Sequence, residues 1–149
     1  PPFGEFARAV ALARAALHVT DTEGALRAVG CGARLVYTSR PNNPLGTVLP
    51  LGELAALAEA CAGRGALLVL DEAYAPFLPD LDTIDVRSGT APRLSLERPR
   101  VSATSVGEAV VALHSPGKVH GVVGLRPAYA LCAPPVAAAL DNLAPAWAL

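Results

Sequence analysis

Methionine is absent from all 149 residues, and the chain opens Pro1-Pro2-Phe3. A translation product begins with Met, so the expectation is a fragment, a processed chain or a segment without its natural start. Cysteine is scarce: Cys31, Cys61 and Cys132 lie far apart and no C-x-x-C pair occurs. That excludes metal-ligand spacing and a disulfide framework, and leaves small buried thiols in a reducing cytoplasm as the expectation. Charge of either sign is in short supply, with 12 basic and 13 acidic residues and a net charge of −1. The nearest thing to a basic cluster, Arg93, Arg98 and Arg100, is interrupted by Glu97. No nucleic-acid partner is expected from such a surface. No run of 18 apolar residues is free of charges and turn formers, so no membrane span is expected. Glu5 and Arg8 interrupt the first apolar stretch, which does not read as a signal peptide. What is abundant is hydrophobic sequence, 52% of the residues. That composition excludes disorder over most of the chain, and the length suits one domain with a sizeable core.

Residues 4–16 are Ala-rich, with apolar positions at Phe6, Val10 and Ala13 that fit a short helix. Residues 17–20 read as a brief strand, and Asp21-Thr22-Glu23-Gly24 as a turn. Residues 34–39 (RLVYTS) read as a strand ending before Pro41, and Pro41-Asn42-Asn43-Pro44-Leu45-Gly46 as a dense loop. A helix follows, with Leu51, Leu54, Leu57 and Cys61 on one face and Gly63 or Gly65 at its end. Residues 66–70 (ALLVL) form a continuous apolar run, the pattern of a parallel strand covered on both faces. Residues 78–107 change character, with Pro79, Pro92 and Pro99 among Ser, Thr and Arg, and read as a long surface excursion. Further strands are expected at 108–113 and 128–132, with a glycine-rich turn region between Ser115 and Gly124. Pro134-Pro135 opens a last helix running to about Leu143. This order predicts an α/β protein with a mainly parallel sheet flanked by helices. Ligands in such sheets sit beyond the carboxyl ends of the strands. Three loops, after Ser39, Leu70 and Leu113, could converge there.

Some short motifs fail on inspection. Ser115-Pro116-Gly117-Lys118 ends like a phosphate-binding P-loop, but that loop needs Gly at 112 and Ser or Thr at 119, where Ala112 and Val119 stand. Gly30-Cys31-Gly32 starts like a dinucleotide fingerprint, but position 35 is Leu, and a simple turn is the better reading. His18, His114 and His120 are too scattered for a metal site, and no metal is expected.

Four elements remain. Asn43 lies in Asn42-Asn43-Pro44-Leu45-Gly46, and Asp71 and Tyr74 in Asp71-Glu72-Ala73-Tyr74. Ser115 and Lys118 lie in Ser115-Pro116-Gly117-Lys118, and Arg126 closes Gly121-Val122-Val123-Gly124-Leu125-Arg126. Each alone reads as ordinary surface or capping chemistry. Taken in order and spacing, from about Pro2 to Trp147, they resemble the fold-type-I pyridoxal-phosphate enzymes of the class I and II aminotransferases. Within that family they are most similar to the histidinol-phosphate aminotransferase branch.

The resemblance implies roles. Lys118 is the residue that holds pyridoxal 5'-phosphate covalently and, once freed, acts as general base at the substrate α-carbon. Lysine suits both tasks because its surroundings can lower its pKa. Asp71 faces the ring nitrogen and keeps it protonated. Tyr74 and Asn43 bond the phenolic oxygen. Ser115 and Arg126 hold the phosphate, for which the guanidinium offers a planar fork. A small amino-acid-type substrate, transfer of an amino group to a 2-oxo acid and a homodimer are likewise implied. Decarboxylation of an amino-acid phosphate, and a truncated domain without catalysis, are the alternative readings. The chain departs from the family pattern at Arg40, where Asn is common, at Leu45, where Thr is common, and at Gly117, where a phosphate-binding hydroxyl is usual. The stretch from Tyr74 to Lys118 is longer than the family's. The family's upstream glycine-containing loop, its ring-stacking aromatic and its downstream small domain match no part of the sequence. The expectation is therefore a partial cofactor-binding large domain spanning 1–149.

Overall fold

A computed structural model describes residues 4–78, 107–122 and 124–143. Helix α1 spans Gly4–Leu12, α2 Thr22–Gly30, α3 Leu51–Arg64, α4 Pro116–Val119 and α5 Pro134–Asp141. Strands β1 (Leu35–Ser39), β2 (Leu67–Asp71), β3 (Val110–His114) and β4 (Tyr129–Leu131) form one sheet in the order β1-β2-β3-β4. β1, β2 and β3 are parallel and β4 is antiparallel to β3. This is the mainly parallel α/β arrangement expected. Nearly all of the excursion expected over 78–107 lies outside the described residues.

Strand parity separates the core from the opposite face. Val36, Leu68 and Val110 share one row of the register, and Leu70 follows two residues on. All four are buried against Val29 of α2 and Leu54, Leu57, Ala58 and Cys61 of α3. The helical spacing of 54, 57, 58 and 61 puts those four on one stripe. Leu68 and Leu70 are fully enclosed, and burying each stabilises the fold by about 1.5–3 kcal/mol. α3 stops at Gly65, whose φ of 62° caps the helix in the left-handed conformation that a side chain disfavours.

The structure corrects several local expectations. Residues 17–20 form no strand, and the first helix ends at Leu12 rather than at 16. Asp21-Thr22-Glu23-Gly24 is not a turn but the start of α2. The Asp21 carboxylate caps it by accepting from the Gly24 amide at 2.8 Å, as N-cap acids do. β2 is not equally covered on both sides: Leu68 and Leu70 are buried, while Leu67, Val69 and Asp71 on the other face are half-buried. The short turn at 30–32 is as read, with Gly32 at φ 100°.

Candidate active site

The parallel strands end level with one another. Ser39 pairs with Asp71, and Asp71 with Leu113, on the face away from α2 and α3. The ladder continues one step further: the Arg40 amide donates to the Asp71 carbonyl and the Glu72 amide to the Leu113 carbonyl, each at 2.9 Å. Alternation therefore sends the two neighbouring carboxylates to opposite faces. Asp71 goes to the face away from α2 and α3. Glu72 turns to the helix side, where it is buried and its Oε2 lies 3.4 Å from His114 Nε2.

Asp71 is held from two directions. Its Oδ1 accepts from the Ala73 amide at 3.0 Å and its Oδ2 from the Tyr37 hydroxyl at 2.8 Å. Tyr37 sits two register steps before Ser39 on the same face, a diagonal neighbour within reach of a long side chain. Its ring stacks on Phe6 of α1, centroids 4.1 Å apart. Burial first, then the bond to Asp71 and its negative charge, push the Tyr37 phenol well above its ordinary pKa. Sequence reasoning missed Tyr37. Only its parity with Ser39 hinted at a place on the site face, and the strand pairing that sets its reach to Asp71 is tertiary information.

The structure places the expected site residues as follows. Asn43 is tied back to the end of β1, its amide donating to Ser39 Oγ at 3.3 Å. Tyr74 leads into a single 3₁₀ turn, Ala75–Phe77, just beyond Asp71. The Lys118 ammonium lies 3.9 Å from the centroid of the Tyr74 ring, a cation–π geometry. The chain thus joins the loop after β2 to the loop after β3. Ser115 caps α4 through its backbone, and its carbonyl accepts from the Lys118 amide at 3.2 Å. Arg126 is exposed, with backbone φ of 45°. Among the described residues no side chain bonds the Ser115 hydroxyl or the Arg126 guanidinium, so the structure does not join those two to Asp71 or Tyr74.

This donor set fits pyridoxal phosphate. Among the described residues, Asp71 has no cationic partner, which leaves a fixed carboxylate to pair with a protonated ring nitrogen. Neither Lys118 nor Arg126 is ion-paired with an acid among those residues, which leaves an amine and a guanidinium for an aldehyde and a phosphate. No group of three or more His, Cys, Asp or Glu among the described residues could hold a metal ion. No described helix is long and apolar enough to cross a membrane.

A mainly parallel sheet with polar loops at its carboxyl edge, flanked by helices, is the architecture of the large domain in fold-type-I aminotransferases. Comparison with known proteins makes the assignment specific: the pattern of the family described as aminotransferase class I and II matches residues 5–149, and the chain belongs to that family. A histidinol-phosphate aminotransferase of Shewanella amazonensis is 36% identical over 105 residues, 70% of this chain and 25% of the relative. An aromatic amino acid aminotransferase of Mycolicibacterium smegmatis is 35% identical over 127 residues, 85% of this chain and 31% of the relative. Among solved structures, a PLP-bound putative aminotransferase from Clostridium difficile 630 shares the fold, with a TM-score of 0.70 at 16% identity, over 96% of this chain and 37% of that one. The chain spans between a quarter and a third of the length of these two curated relatives.

Proposed function

We propose that this chain is the cofactor-binding segment of a pyridoxal-phosphate-dependent aminotransferase of the histidinol-phosphate type, acting as a homodimer in the cytoplasm. The observation that carries the reading is the Lys118 ammonium lying on the Tyr74 ring at the strand edge where Asp71 emerges. When bound, the cofactor supplies an electron sink for charge developing at the substrate α-carbon. Lys118 holds it, and its amine then takes and returns the proton at that carbon. Asp71 keeps a proton on the ring nitrogen, and Tyr37 and the Ala73 amide hold the carboxylate still while it does so. Tyr74 and Asn43 orient the phenolic edge. Ser115 and Arg126 bind the phosphate. Histidinol phosphate is the substrate to test first. The relative named for aromatic amino acids makes those the rival substrates.

The test is borohydride trapping of the full-length protein after loading with pyridoxal phosphate, followed by peptide mapping. The label is expected on Lys118. A label on another residue, or none on folded protein, refutes the assignment. Asp71→Asn is expected to keep the label yet slow α-proton exchange by about 10²-fold or more, the scale of a lost electrostatic contribution. An unchanged exchange rate would remove Asp71 from its role.

A further inference from the structure

Gly117 stands directly before Lys118 and is buried, although Lys118 itself is exposed. A Cβ built there would lie 2.8 Å from Pro127 Cδ, 2.8 Å from the Val122 carbonyl oxygen and 3.2 Å from Pro127 Cγ. Both 2.8 Å distances are shorter than a packed Cβ tolerates. The Pro127 ring therefore occupies the space a side chain at 117 would fill. One residue earlier, Arg126 holds φ at 45°, a conformation that is costly for a non-glycine residue and persists only where the surroundings impose it. A following proline adds its own restriction on that backbone. A tight steric fit and a strained backbone thus meet at consecutive residues, and the strained one carries the exposed guanidinium.

We propose that Gly117 and Pro127 form a lock that positions Arg126 as a phosphate ligand. The missing side chain at 117 is then a requirement of the site, not a loss from it. The vacancy seats the Pro127 ring, and the seated ring holds the Arg126 backbone beside the turn that carries Lys118. This rests on the reading of Arg126 given above. Gly117 and Pro127 are positioning residues and need not touch the ligand.

The test compares pyridoxal phosphate with pyridoxal, which lacks the phosphate, by equilibrium binding to the full-length protein. Arg126→Ala tests the underlying reading: it should weaken pyridoxal phosphate and leave pyridoxal unchanged, and no effect on either would remove Arg126 as a ligand. Gly117→Ser restores a hydroxyl next to the lysine, yet it is expected to weaken pyridoxal phosphate about tenfold, as overpacking of a close contact does, with pyridoxal unmoved. Adding Pro127→Ala to Gly117→Ser removes the ring side of the clash and leaves the Val122 carbonyl in place, so the combined loss should be smaller than the product of the two single losses, a coupling typical of residues in contact. If Arg126→Ala weakens binding but Gly117→Ser binds the phosphate compound as well as or better than the parent, the lock is wrong and the ligand stands. Equal loss for both compounds also overturns it, because damage to the fold would not single out the phosphate. Should Gly117→Ser not fold, Pro127→Ala alone carries the test. It unseats the ring and should weaken pyridoxal phosphate severalfold without moving pyridoxal, and an unchanged affinity counts against the lock.

Discussion

Tyr37 shows how much one side chain can settle at a site. It presses its ring against Phe6 and spends its only proton on Asp71 Oδ2. Ionising that phenol would place a second negative charge beside the carboxylate in a half-buried position, so its pKa is raised, by burial first and by Asp71 next. The sign follows from linkage. The folded state keeps the phenolic proton more tightly than the unfolded chain, so the stabilisation is complete below the unfolded value of about 10 and is lost as pH rises above it. Tyr37→Phe is therefore expected to lower stability near neutral pH and to flatten its decline above about pH 10. Denaturant midpoints measured across that range check this, and parallel curves for the two proteins would contradict it. The same substitution frees Asp71 to rotate, so cofactor affinity should fall while the Lys118 adduct still forms.

At the scale of elements, α2 is the informative case. Asp21 accepts from the Gly24 amide, and that bond is the main reason its carboxyl sits below its ordinary pKa. A depressed folded pKa gives stability that is present above the unfolded value and lost as pH falls through the folded one. Asp21→Ala should speed amide hydrogen exchange in the first turn of α2 at neutral pH, with the difference shrinking below about pH 4. Asp21→Asn, which can still accept, should exchange like the parent. Unaltered exchange in the alanine variant would mean that packing alone holds the turn. This element also marks where sequence reading stopped. Asp-Thr-Glu-Gly carries turn and cap signals together, and only the burial of Val29 against α3 decides for helix. β2 was legible because five apolar residues in a row between glycines and an acid fit a buried strand. Residues 17–20 look β-like locally, but a strand exists only where a partner edge accepts it. Asn43, Asp71, Tyr74, Ser115, Lys118 and Arg126 were legible as a spaced motif. Tyr37 and the seat of Pro127 were not, because register and close approach are properties of the folded chain.

Across the whole molecule, apolar side chains and a near-neutral charge act together. Leu45 and Leu125 are largely exposed in the loops that also carry Asn43 and Arg126, and Leu12 and Leu143 are exposed at helix ends. Contiguous exposed apolar patches mark surfaces that associate, and the exposed leucines beside the proposed cofactor residues are where such a patch can be sought by mutation. Net charge opposes association at long range, and with 12 basic against 13 acidic residues and a pI near 6.3 it nearly vanishes just below neutrality. Association of this 149-residue chain by itself should therefore peak close to that pH and weaken as it gains negative charge toward about pH 8, where like-charge repulsion returns. Static light scattering against pH checks this directly. Leu125→Lys should reduce the peak by removing apolar area and shifting the point of zero charge upward together. A peak that stays in place and height would show that association does not use Leu125.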